Sequence, residues 1–263
     1  VSVPRSRDDV AAFARRAAYP VVGKGIDPSR PQGKMKIIAN RPDELLATYA
    51  DAGTVSPPNF MLQEYIPGDD ETGWTFYGYF DESSECLASF SARKIRLAPA
   101  YTGVISLGVT DDNETVQEAC RKFMKGAGYR GPVNIGGKFD RRDGQYKVLD
   151  VNARLGASFR LCLSEAGLDV VRVLYLHLTG QRVSAQHGLI GRRWLLEEDL
   201  FAFRRYVRDG RLTYGQWWRS LRGVHECAWW APDDPKPFVW WWMGRMKHSL
   251  GWRRGGRSGD STG

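Results

Sequence analysis

The segment Asp150-Val151-Asn152-Ala153-Arg154 carries the sharpest chemical pattern in the chain. On an extended strand the side chains alternate, so Asp150 and Asn152 project from one face and Arg154 stands just past its end. Two neighbouring oxygen donors suit magnesium (Mg2+), a hard cation that keeps several waters and takes phosphate oxygens to complete its shell. The arginine suits a phosphoryl group in transfer, because its planar fork matches phosphate and keeps its charge. The alternative is a solvated strand face. Val148, Leu149 and Val151 instead predict a buried strand, in which Asp150 needs a partner.

Three further stretches have chemical potential. Lys24 ends the apolar run Tyr19-Pro20-Val21-Val22-Gly23 and precedes a loop holding Gly25, Pro28, Ser29, Pro31 and Gly33. A fixed cation beside backbone donors suits a polyphosphate, whereas a lysine running out into solvent is the plain alternative. Gln63-Glu64-Tyr65-Ile66 is a strand ended by Pro67-Gly68. Backbone groups at such an end can read an adenine edge, and Asp69 and Asp70 beyond it can take ribose hydroxyls. Arg93-Lys94-Ile95-Arg96 would neutralise an acidic substrate or a terminal phosphate, or be a charged turn in water.

These groups need elements to hold them. Helical spacing of apolar residues predicts helices over 8–18, 41–52, 113–126, 158–166 and 170–178. Strands are predicted at 19–24, 36–39 and 60–66, with hairpins over 72–93 and 133–151, the second turning at Asp143-Gly144. Helices mix with antiparallel strands without strict alternation, which predicts an α+β fold. Cys86, Cys120, Cys162 and Cys227 lie apart with no ligand-like spacing, which argues against zinc or a disulfide scaffold and fits a reducing cytoplasm. No apolar run is long enough to cross a bilayer. The net charge of +8 is partly local to the last residues, and polyanions such as ATP satisfy it as well as nucleic acid does. Gly23-Lys24-Gly25 lacks the later glycine of a dinucleotide loop.

Phosphate lysine, adenine strand, basic segment and metal strand occur in one order, and that order resembles the ATP-grasp superfamily. Tyr19 to Lys24 is similar to its lysine-bearing strand, Leu62 to Gly68 to its hinge, and Tyr146 to Arg154 to its terminal metal strand, usually Glu-x-Asn-x-Arg. Arg93 to Arg96, Arg142-Asp143-Gly144 and Ala166-Gly167-Leu168-Asp169 resemble segments of the D-aspartate ligase and carboxylate–amine ligase group. The resemblance implies an enzyme that uses ATP to phosphorylate a carboxylate and joins it to an amine, an amino acid or cell-wall precursor being a candidate substrate. It implies Lys24, with Lys36, at the nucleotide phosphates. Gln63, Glu64, Tyr65 and Ile66 would lie around adenine, and Asp70 at the ribose. Asp150 and Asn152 would hold Mg2+, with Arg154, Lys94 and Arg96 as catalytic cations. It also implies two α+β subdomains gripping ATP. By the same resemblance residues 1–182 are expected to form an N-terminally incomplete ATP-grasp domain, without the family's N-terminal domain. The chain opens without Met and reads as a fragment or processed product.

Two residues depart from that pattern. The family expects a second acidic metal ligand on the strand facing Asp150; counting back through the hairpin, Gly136 stands there with Gly137 beside it. Asp150 itself stands where Glu is usual, one methylene shorter. The second reading is therefore a degenerate relative that binds a nucleotide, membrane or partner without turnover, with Asp140 a remote substitute for the missing acid. Residues 183–250 are predicted as a helical, tryptophan-rich extension and 251–263 as a disordered basic tail. Trp229-Trp230 and Trp240-Trp241-Trp242 beside arginines would pack on the domain, lie peripherally on a membrane, or, least in keeping with the rest, stack on nucleic acid.

Overall fold

Ser6 starts the first helix by a reciprocal cap: its Oγ accepts from the Asp9 amide at 3.1 Å while its own amide donates to the Asp9 carboxylate. The computed structural model describes residues 1–27, 29–30, 36–52, 59–183, 186 and 188–255. Most of the predicted loop after Lys24 and the end of the predicted tail, 256–263, lie outside them. The chain divides into two units, Val1–Pro67 and Gly68–Gly263.

In the first unit, α1 (Arg7–Arg16) and α2 (Pro42–Ala52) accompany a three-stranded antiparallel sheet of β1 (Val21–Gly25), β2 (Lys36–Ala39) and β3 (Phe60–Glu64), in the order β2-β1-β3. Val10, Val21, Leu45, Phe60 and Leu62 form its core. Gly23 is required there, because a side chain would strike the Phe60 ring.

The second unit is built on a seven-stranded sheet. Its strands are β4 (Gly73–Phe80), β5 (Cys86–Ala98), β6 (Val104–Asp111), β7 (Gly131–Asp140), β8 (Gln145–Asn152), β9 (Arg193–Leu195) and β10 (Val224–Cys227). The order is β10-β9-β6-β5-β4-β7-β8. Alternation in β4 sends Trp74, Phe76 and Phe80 to one face, against Val116, Cys120 and Met124 of α3 (Glu114–Gly126). Tyr77 and Tyr79 go to the other face, with Phe90, Ala92, Leu161 and α4 (Val170–Leu178). The α+β class is thus observed.

The structure corrects three local expectations. The predicted helix over 158–166 is a single 3-10 turn, Phe159–Leu161, after which Cys162 is extended. Leu161 and Cys162 are both buried in the core beside Tyr77 and Phe90, so tertiary packing overrides the local helical propensity. The strand bearing Asp150 is not buried: β8 is outermost in the sheet, and Val148 and Val151 are exposed. Hydrophobic content alone does not locate a strand within its sheet. Finally, the segment after 183 is not purely helical. It carries α5 (Asp199–Arg208), α6 (Tyr214–Ser220) and α7 (Lys236–Gly255), but β9 pairs antiparallel with β6 and β10 parallel with β9. The backbone of α7 runs to Gly255, five residues into the predicted tail.

Packing accounts for many of the tryptophans. Trp194 is buried, Trp217 stacks on Phe203 at 4.1 Å, and Trp241 and Trp242 lie against Phe201 and Phe238. Trp218, Trp229, Trp230 and Trp240 are exposed. Among the described residues, no helix is long and apolar enough to cross a membrane.

Candidate active site

The β7–β8 hairpin sets the geometry around Asp150. Its turn is a four-residue loop, 141–144, closed by the pair Asp140 and Gln145, with Gly144 at φ 68° donating to the Asp140 carbonyl at 2.9 Å. Beyond Gly137, paired with Val148, an irregularity accommodates Leu149 as an extra residue. It brings Asp150 opposite Gly136 and Asn152 opposite Asn134. The expected partner of Asp150 is therefore the observed one.

Asp150 and Asn152 are adjacent, with the Asn152 amide donating to the Asp150 carboxylate at 2.5 Å. Arg154 lies at the strand's end, its guanidinium donating to the Leu155 carbonyl at 3.0 Å and reaching Asn152 Oδ1 at 3.5 Å. All three residues are solvent-accessible, Asp150 and Arg154 the more so.

Lys94 reaches this cluster from β5. A Cβ added to Gly73 would fall 2.9 Å from Lys94 Cδ, and one added to Gly136 would fall 3.5 Å from Lys94 Nζ and 2.6 Å from Asp150 Oδ1. The stem of Lys94 thus runs over the bare backbone of Gly73, and its ammonium and the Asp150 carboxylate both lie beside Gly136. The two adjacent glycines differ in cause. A side chain on Gly137 would overlap the Trp74 ring and the Lys147 carbonyl.

Arg96 does not join the cluster, which corrects its assignment as a catalytic cation. Register shifts around Ile95 break the alternation of β5. Arg96 is buried, donating to both oxygens of Asp199 at 2.8–3.3 Å and to Ser220 Oγ at 2.8 Å. Asp199 also accepts from Ser106 Oγ at 2.7 Å and Trp217 Nε1 at 2.9 Å. Asp140 is no substitute ligand either. Arg142, then Lys147, hydrogen-bond its carboxylate and hold it well below the usual range.

Asp70 accepts a hydrogen bond from the Tyr206 hydroxyl. Burial pushes its carboxyl above the ordinary value, while Tyr206, Lys138 and Lys94 pull the other way. In the first unit Lys24 and Lys36 are direct cross-strand partners. Like charges so placed repel, and an anion shared by both relieves the repulsion. Gln63 and Ile66 are buried, Tyr65 is half-buried and donates its amide to the Pro20 carbonyl, and Glu64 is exposed. Sequence reasoning missed Lys138, whose Nζ donates to the Gly68 carbonyl at 2.6 Å, and Asn134, which donates to Thr75 Oγ1 at 2.8 Å beneath Asn152. Period-two counting from Gly136 would have found Asn134; Lys138 was signalled only by its place in β7.

Comparison with known proteins places these observations. Residues 84–183 match the family model described as the carbamoyl-phosphate synthase L chain, ATP binding domain. A D-aspartate ligase from Enterococcus faecium (strain Aus0004) is 30% identical over 133 residues, which are 49% of this chain and 31% of that protein. An N5-carboxyaminoimidazole synthetase from Staphylococcus aureus, solved with ADP, superposes at TM-score 0.54 and 12% identity, covering 81% of this chain and 57% of that one. A biotin carboxylase–β,γ-ATP complex from Campylobacter jejuni gives 0.54 and 14%, covering 72% and 43%. The chain spans about a third of the curated relative it matches, and about half of these solved chains. Sequence match, relative and shared fold each agree with the likeness to the ATP-grasp superfamily that the order of motifs carries.

Proposed function

We propose that this chain acts as an ATP-dependent carboxylate–amine ligase. A substrate carboxylate oxygen attacks the γ-phosphorus of ATP and ADP leaves. An amine nitrogen then attacks the acyl phosphate carbon, phosphate leaves, and the nitrogen loses a proton to solvent. The observation that supports this most is the convergence of Asp150, Asn152, Arg154 and Lys94 at one end of the sheet. Arg154 steadies the transferred phosphoryl group. Lys24 and Lys36 take the nucleotide phosphates, Gln63, Glu64, Tyr65 and Ile66 the adenine, and Asp70 the ribose. Catalysis of this kind is positioning plus charge stabilisation.

Asp150 and Asn152 fit magnesium, because one carboxylate and one amide oxygen leave room for waters and phosphate oxygens. The ion, when bound there, offsets charge on the polyphosphate. The resemblance to a D-aspartate ligase favours an amino acid as one substrate. Gly136, which offers no ligand opposite Asp150, favours the second reading, nucleotide binding without turnover. The test is ADP release from ATP and Mg2+ with and without D-aspartate and other amino acids. Amino-acid-dependent release is the expected result. Binding without such release leaves the second reading, and absence of ATP binding sinks both.

A further inference from the structure

Lys94 does more than add a positive charge to the region, because the backbone is cut away to let it through. Its position on β5 is two strands from β7 and three from β8. A lysine crosses such a distance only fully extended and only if nothing stands in its path. Gly73 on β4 clears the first part: a Cβ there would lie 2.9 Å from Lys94 Cδ and 3.4 Å from its Cβ. Gly136 on β7 clears the second, where the same construction meets Lys94 Nζ at 3.5 Å and Asp150 Oδ1 at 2.6 Å. Neither glycine has the positive φ that would otherwise demand glycine. Gly73 also faces the Asp70 carbonyl at 2.8 Å, so a side chain there has two obstacles.

The consequence is electrostatic. An acid at position 136 would face Asp150 across the strands and, together with it, favour a divalent ion. Here the point from which such an acid would project lies within reach of an ammonium group. We propose that Lys94 is a built-in cation of this site, so that without nucleotide the protein holds no divalent ion and the polyphosphate of a nucleoside triphosphate is neutralised partly by Lys94 itself. A divalent ion then enters with the nucleotide, held by its phosphates and by Asp150 and Asn152. This inference rests on the nucleotide-binding reading above, and it makes nucleotide affinity only weakly dependent on the metal.

The experiment has two arms, both on the full chain. In the first, Mn2+ alone is titrated by electron paramagnetic resonance, without nucleotide. The wild type is expected to leave Mn2+ free, and the double variant Lys94→Met, Gly136→Asp to bind it at least about tenfold more tightly, as removing a nearby like charge and adding an opposite one requires. The carboxylate introduced at position 136 meets only the end of the flexible Asp150 side chain, and Lys94→Met alone, with circular dichroism, guards against misfolding. In the second arm, ATP affinity is measured by calorimetry in Mg2+ and in EDTA. Wild-type affinity is expected to fall less than about threefold in EDTA, and that of Lys94→Met about tenfold or more. Tight Mn2+ binding by the wild type, or equal metal dependence in wild type and Lys94→Met, overturns the proposal. If no form binds ATP, the nucleotide reading fails, and the Mn2+ arm still decides the role of Lys94.

Discussion

Strand β5 sends two cations toward two aspartates, and the settings they reach are of different kinds. Arg96 meets Asp199 in a side-chain environment only 5% and 0% exposed, where the arginine, Ser106 and Trp217 supply the carboxylate with donors. Lys94 approaches Asp150 over a glycine, on an outermost strand open to solvent. The first pair is saturated, so there is no room for a ligand without breaking the fold. The second leaves carboxylate and amide oxygens that a cation can claim. Unspent coordination, more than charge, separates a binding group from a structural one, and register shifts around Ile95 are what sort two similar cations into the two roles.

The comparison can be broken most directly at Asp199. Asp199→Ala strands the buried Arg96 guanidinium and is expected to cost about 3–5 kcal/mol, read as a large fall in thermal midpoint. A shift no larger than that of a surface substitution would mean that the pair is not the anchor described. Asp150→Ala should do the opposite, lowering Mg2+-dependent turnover by about 100-fold or more while the thermal midpoint barely moves. Unchanged nucleotide behaviour in that variant discards the assignment of the strand. The two adjacent glycines sharpen the contrast on a smaller scale. Gly137→Ala drives a methyl group into the Trp74 ring and a backbone carbonyl and should cost about 1–3 kcal/mol in denaturant unfolding. Gly136→Ala meets the mobile end of Asp150 and should cost much less; equal losses would show that Gly136 is there for packing.

The smallest effect is a pH dependence at the hairpin turn. The folded state holds Asp140 below its ordinary value, so the unfolded chain binds the proton first. Its stabilising contribution is complete above the ordinary aspartate range and is lost as the pH falls through it. Asp140→Asn should therefore lower the neutral plateau and flatten the acid limb, so that variant and wild type converge at low pH. A wild-type slope retained in the variant would place the acid sensitivity elsewhere.

Much of the site could be read locally. Asp150 and Asn152 share a strand with Arg154 just past its end, but the setting of Gly136 opposite Asp150 depends on the extra residue Leu149, which plain counting through the hairpin does not supply. The α+β class and the order of the motifs followed from alternation and helical spacing. What escaped was non-local. The partner of Arg96 lies 103 residues away, and nothing in Arg93-Lys94-Ile95-Arg96 announces an irregular strand. The exposure of β8 depends on its place at the edge of a seven-stranded sheet rather than on Val148 and Val151. The reason for Gly137 is the indole of Trp74, on a strand paired through contacts more than sixty residues apart in sequence.

The short strands β9 and β10 bear on how this protein can be cut. They continue the sheet beyond β6, where Thr110 and Ser106 make backbone hydrogen bonds to that segment. A chain shortened after residue 182 would expose a row of amide and carbonyl groups along β6, and would free Arg96 from its partner at the same stroke. Such an open border invites pairing with a second molecule. The tryptophan-rich segment is thus the hem of the sheet, and any swap of parts between relatives must carry it along or leave the product prone to self-association.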